Sequence, residues 1–176
     1  MRATATLPQL RSRAETMVEL QGLGWAADGV GELDHRLLKA PSVKLRGAHT
    51  GAAGDVVYCI DLRFRHPNAD EYFSSAEAHS IEHFLLEGFQ RLLPEHFIGV
   101  GVMGCRTGFY LTLLNEGRRT VIESVLEDIL RGVLTADAVP YARIDQCGNW
   151  RNHDLGSAQA LAREVLERRA RWQDIT

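Results

Sequence analysis

Apolar and polar positions alternate most clearly over residues 56–64, VVYCIDLRF. Val56, Tyr58, Ile60, Leu62 and Phe64 share one side, which predicts a strand with that face on the core. Val57, Cys59, Asp61 and Arg63 share the other. That face is unusually polar and is expected to meet solvent, a cleft or a partner chain; Cys59 on it reads as structural. Pro67-Asn68 ends the strand. The period then changes. Ile81, Leu85, Phe89 and Leu92 recur at helical spacing, Ser74 and Glu77 suit a capping box, and Pro94 stops the helix. Two strands, 97–103 and 108–114, flank a tight turn at Gly104-Cys105-Arg106-Thr107-Gly108. A second helix is expected over 121–131, with Thr120 and Glu123 as its capping box, Ile122, Val125, Leu126 and Ile129 as its stripe, and Gly132 at its end. A short strand is expected at 139–145. A last helix from Ser157 buries Leu161, Val165 and Leu166.

These elements interleave without βαβ regularity. The expected class is therefore α+β: a single domain whose mostly antiparallel sheet is packed by helices on one side. Residues 1–31 read as an extension. Leu7, Leu10, Val18 and Leu20 allow a short helical stripe, and a glycine-rich connector follows from Gly22 to Gly31, so a surface helix or a packing arm is expected. The main domain is expected over 32–176.

Composition narrows the function. The chain has 176 residues, 45% hydrophobic and 24% charged, an ordinary globular mix with enough length for a core. A net charge of −3 leaves no basic excess to grip a nucleic-acid backbone. No apolar run reaches membrane-spanning length, and no secretory segment is visible. Three cysteines, an odd number, argue against a disulfide framework, and a cytoplasmic location is expected.

The chemistry is concentrated in three places. In His79-Ser80-Ile81-Glu82-His83, helical spacing puts both imidazoles on one face, where they can share a metal ion. Glu82 lies on the same side and can move a proton without being a ligand. The alternative is two surface histidines beside a solvated glutamate. Cys147, followed by Gly148, is a candidate third ligand; otherwise it is a small core cysteine. His153, six residues on, could be the third ligand instead, or a supporting or structural group. Thiolate with imidazoles suits zinc or ferrous iron and leaves a position open for substrate. Cys105 sits in the glycine-flanked turn, where Arg106 and backbone N–H groups favour a reactive thiolate over an inert turn residue.

Together these segments resemble the S-ribosylhomocysteine lyase (LuxS) family. The resemblance is carried by Leu33-Asp34-His35, Ala40-Pro41-Ser42-Val43, Asp61-Leu62-Arg63-Phe64 with Pro67-Asn68, and His79 to His83. Met103 to Tyr110 and Gln146-Cys147-Gly148 with His153 and Leu155 complete it, and it covers residues 32 to 166. It implies a metal held by His79, His83 and Cys147, with one divalent ion per subunit. Fe(II) is the first expectation, and Zn(II) or Co(II) are the others. It implies Glu82 and Cys105 as the acid/base pair, and His35, Arg63 and Arg106 as substrate contacts. It further implies a homodimer with both sites at the interface. The implied reaction moves a sugar carbonyl twice and then expels homocysteine by β-elimination. The other product is 4,5-dihydroxy-2,3-pentanedione, the precursor of autoinducer-2 in quorum sensing.

Two departures bear on recognition. The family's Ser-Phe before Leu-Asp-His is Val30-Gly31 here, so a hydroxyl contact is lost. Its Asp-Ile-Ser-Pro before Met103 is Gly99-Val100-Gly101-Val102 here, in the part that lines the homocysteine end. The same chemistry on a different thioether sugar is therefore the runner-up. An inverted-zincin peptidase shares H-x-x-E-H but needs a longer chain and gives Cys105 no task. A non-catalytic metal-binding module leaves both Glu82 and Cys105 without a role.

Overall fold

The computed structural model describes residues 20–176. Leu7, Leu10 and Val18 of the expected N-terminal stripe lie outside these residues. Four antiparallel strands form one sheet in the order β1-β2-β4-β3. They are β1 (Ser42–Thr50), β2 (Val56–Arg63), β3 (Phe97–Val102) and β4 (Gly108–Leu114). Helices α1 (Ser75–Leu92), α2 (Arg119–Thr135) and α3 (Leu155–Glu167) pack together on one side. The class and the one-sided helical layer are as the sequence predicts. No helix among the described residues is long and apolar enough to cross a membrane.

The register explains the two faces. Leu45, Ile60 and Leu111 stand opposite one another across β1, β2 and β4, and all three are fully buried against the helices. One step along, Lys44, Asp61 and Tyr110 form the matching row on the outer face. Strand β1 was not anticipated as a strand, because Lys44, Arg46 and Gly47 interrupt its apolar positions, and a register shift between Leu45 and Gly47 breaks its period. The outer face also differs from the sequence reading. Asp61 and Arg63 meet neither solvent nor a cleft; both are buried within this chain, as is Lys44.

Three further expectations are corrected. Residues 139–145 form turns, because Pro140 cannot donate to a ladder and Tyr141 has a φ of 57°. Helix α2 starts at Arg119 on Arg118, so the Thr120–Glu123 capping box does not form. Glu123 is instead buried against Arg169. The helix runs past Gly132 to Thr135, because Val133 is buried in the core. Helix α3 starts two residues early, at Leu155, where Asp154 caps it by accepting from the Ser157 N–H. Leu20 of the expected stripe and Trp25 of the connector are buried, and the Trp25 indole donates to the Gly117 carbonyl at 2.7 Å. These two described residues pack against the domain.

Candidate active site

Helix α1 begins with the predicted capping box: Ser74 accepts from Glu77 N, and the Glu77 carboxylate accepts from Ser74 N. Its buried stripe of Ile81, Phe84, Leu85 and Phe89 fixes the rotation of the helix, which turns His79, Glu82 and His83 to a half-buried face. The loop from Pro140 to Asp154 closes over that face. Buried Ser80 anchors it: its hydroxyl donates to the Ala76 carbonyl at 2.7 Å and accepts from Asp154 N at 2.8 Å.

This loop also aims the imidazoles. His79 Nδ1 donates to the Asn152 carbonyl at 2.9 Å, and His83 Nδ1 donates to the Pro140 carbonyl at 2.7 Å. A carbonyl can only accept, so Nδ1 carries the proton and each Nε2 presents its lone pair. The Cys147 sulfur lies 3.4 Å from His79 Nε2 and accepts from Asn149 N. Ligand distances of about 2.0–2.3 Å in a tetrahedral site imply donors roughly 3.4–3.6 Å apart, so the Cys147–His79 spacing fits an ion between them.

His153 joins this group. Its Nε2 is 3.8 Å from the Cys147 sulfur, and its ring stacks on His79 with centroids 4.0 Å apart. One ligand atom from each of His79, His83, Cys147 and His153 lies within 4.8 Å of the others. Burial, then His79 and His83, push the His153 pKa down to about 4, so the ring is neutral near pH 7. Glu82 is half-buried and has no hydrogen bond or ion pair among the described residues.

A second group forms where β2 meets the 104–108 turn. The Arg63 guanidinium grips Asp61 with two nitrogens, at 2.7 and 3.2 Å. Its Nη1 donates to Thr107 Oγ1 at 2.6 Å and stands 3.7 Å from the Cys105 sulfur. The turn is tight because a Cβ on Gly108 would come within 2.4 Å of the Leu62 carbonyl, and because Arg106 holds a φ of 55°. Cys105 is exposed. Partial burial pushes its thiol pKa up, but hydrogen bonds from the Thr107 side chain and backbone, with the Arg63 charge, outweigh this and leave it lowered.

Cys105 and Arg106 line a cavity of about 410 Å³ with His35, Pro67, Asn68 and Tyr72. A larger open cleft of about 610 Å³ lies beside Arg65, Glu164 and Arg168, whose charges are paired with one another or with Glu77. It holds none of the residues singled out for chemistry.

The sequence-predicted residues thus fall into two groups. His79, His83, Cys147 and Glu82 belong to α1 and its covering loop. His35, Arg63, Cys105 and Arg106 belong to the β2–turn side. Among the described residues no hydrogen bond or ion pair joins the two. Thr107, Asp61 and Lys44 were not picked out as site residues. The i, i+2 spacing of Asp61 and Arg63 was a usable signal, whereas the approach of Thr107 depends on the turn.

The S-ribosylhomocysteinase (LuxS) family matches residues 31–176. The S-ribosylhomocysteine lyase of Dichelobacter nodosus is 41% identical over 143 residues, covering 81% of this chain and 92% of that protein. Those of Halobacillus halophilus and Helicobacter pylori strain HPAG1 are 41% and 42% identical over the same length, with 93% and 91% of each relative covered. Similarity of this extent, over the whole described domain and both groups of site residues, shows that the chain belongs to the S-ribosylhomocysteinase (LuxS) family.

Proposed function

We propose that this chain is a metal-dependent carbon–sulfur lyase that cleaves S-ribosylhomocysteine to homocysteine and 4,5-dihydroxy-2,3-pentanedione. The observation that carries the reading is the donor set: two imidazoles with their Nδ1 protons tied to carbonyls and the Cys147 sulfur 3.4 Å from His79 Nε2, beside a glutamate with no hydrogen bond or ion pair among the described residues. Two nitrogens and one sulfur suit Fe(II), Zn(II) or Co(II), and Fe(II) is the expected ion in the cell. His79, His83 and Cys147 are the proposed ligands, with neutral His153 stacked beside them as a wall that adds no charge against a cation. When bound, the ion supplies Lewis-acid polarisation of a substrate carbonyl and its neighbouring hydroxyl.

The chain's own groups then move protons. Substrate opens to its aldehyde. One base removes the C2 proton and returns a proton to C1, leaving the ketone at C2. A second transfer, from C3 to C2, leaves the ketone at C3. Loss of the C4 proton then breaks the C5–sulfur bond, and homocysteine leaves with the sulfur. Glu82 and Cys105 are the proposed bases. The lowered pKa of Cys105 favours the charged form needed to accept a proton. His35 and Arg106, which line the cavity, are the proposed substrate contacts; Arg63, expected as a third, is buried and is proposed to act through Thr107 and Cys105.

A homodimer is the proposed assembly, supported by the lack of any hydrogen bond or ion pair between the two groups among the described residues. Each chain offers a metal-binding group with Glu82 and a thiolate group with a cavity, and apposition of two copies makes two complete sites. The proposed location is the cytoplasm, and homocysteine return and autoinducer-2 formation are the proposed roles. The 1–31 and 32–176 division is proposed on the same footing.

A second reading, the same chemistry on another thioether sugar, is favoured by one observation. A Cβ on Gly99 or Gly101 would meet nothing within 4 Å, so the segment that the family resemblance puts at the homocysteine end is open. The test is homocysteine release from S-ribosylhomocysteine by anaerobic, ferrous-loaded protein, read with a thiol reagent. Metal-dependent release is expected. No release from folded, metal-loaded protein would reject this substrate and direct the test to other thioether sugars.

A further inference from the structure

Three side chains on the outer face of the sheet and one in the adjoining turn form one buried chain of contacts, and only its last partner reaches solvent. Lys44, Asp61, Arg63 and Thr107 are 4%, 3%, 2% and 1% exposed, while Cys105 is exposed. Polar groups buried to this degree persist only with partners, so their arrangement defines a direction.

That direction follows from donor chemistry. Lys44 donates to the Gly31 carbonyl at 2.6 Å and stands 4.0 Å from Asp61. Asp61 holds the Arg63 fork through two nitrogens, which fixes the plane of the guanidinium. The remaining Nη1 points at Thr107. A guanidinium only donates, so Thr107 Oγ1 must accept at that 2.6 Å contact. The hydroxyl has a single proton, and the Cys105 sulfur lies 3.0 Å from the oxygen. Accepting from Arg63 leaves that proton available to the sulfur.

We infer that Thr107 is a positioning residue for the proposed acid/base step: Arg63 orients its hydroxyl, and that hydroxyl holds the Cys105 sulfur as a thiolate aimed into the cavity. The inference rests on the reading of Cys105 as a base. The other charged or titratable groups lining the same cavity are Arg106, His35 and Tyr72. Arg63 Nη1 makes the longer hydrogen bond to the sulfur, at 3.7 Å. Thr107 is the close one. Its own carbonyl accepts from Phe64 N at 3.0 Å and Arg65 N at 2.9 Å, which ties the turn to the end of β2 and keeps the hydroxyl in place.

The test needs neither metal nor substrate. The rate of iodoacetamide alkylation at Cys105 is followed against pH by peptide mass spectrometry in the full chain, which separates it from Cys59 and Cys147. Thr107→Val keeps the shape and removes the hydroxyl. Its Cys105 midpoint should rise by about one pH unit, a tenfold loss of thiolate below the midpoint. Thr107→Ser should restore the wild-type midpoint. A folded T107V with the wild-type midpoint overturns the inference, as does a T107S midpoint equal to that of T107V. Thr107→Ala carries the same prediction if T107V does not fold. Failure of thiol release from S-ribosylhomocysteine would leave this titration unchanged, so the two readings fail separately.

Discussion

At the residue scale, the two proposed bases sit in opposite environments. Glu82 has no partner among the described residues, whereas Cys105 is surrounded by donors. Neither is among the proposed metal ligands. Glu82→Gln and Cys105→Ala should each retain the metal, measured by elemental analysis, while thiol release falls by at least about a hundredfold, the usual scale of a lost general base. Loss of metal in either variant would instead make that residue part of the metal site. The lowered Cys105 pKa also has a sign for pH. The folded protein releases this proton at lower pH than the unfolded chain. The interactions that favour the thiolate therefore stabilise the fold above the ordinary thiol range, and this contribution is lost as pH falls through the folded value.

At the element scale, the site depends on how closely α1 lies on α2. Gly88 of α1 is buried, and a Cβ there would come within 2.4 Å of Ile129 Cγ1 and 2.7 Å of its Cδ1. Gly88→Ala should therefore destabilise the protein by about 1–3 kcal/mol through overpacking, despite the better helix propensity of alanine. Ile129→Ala alone should cost about 2–5 kcal/mol. The double variant should lose clearly less than the sum, measured by denaturant unfolding, because each change makes room for the other. Additive losses would show that the contact does not set the packing. Legibility also varied by element. Helix α1 and strands β2, β3 and β4 could be read because one period ran through each. Strand β1 could not, because its buried lysine and its register shift disguise the alternation.

At the scale of the whole molecule, the decisive feature is that one chain carries two groups that no hydrogen bond or ion pair joins among the described residues. If sites are shared between two copies, inactive chains can complement each other. Mixing refolded His83→Ala and Cys105→Ala chains in equal amounts should give half heterodimers, each with one intact site in two. The expected recovery is about a quarter of wild-type thiol release. No recovery from a verified heterodimer would place each site within a single chain.

The sequence by itself determined the α+β class, most of the helices and strands, and the residue types able to bind a metal. Those features depend on local periodicity, capping and spacing, which a chain carries without its fold. It also placed His79, Glu82 and His83 on one helical face, since four residues span about one turn. The tertiary structure decided how these groups are finished. Whether His79 and His83 present Nε2 depends on carbonyls of Asn152 and Pro140, which are 73 and 57 residues away in sequence. It also replaced an expected strand at 139–145 with the turns that supply one of those carbonyls. Likewise, Asp61 and Arg63 read as an open polar face until β1 and the 104–108 turn buried them beside Lys44 and Thr107. Burial and long-range hydrogen bonds arise only when distant segments meet, and they set the orientation and charge of a side chain whose identity was already given.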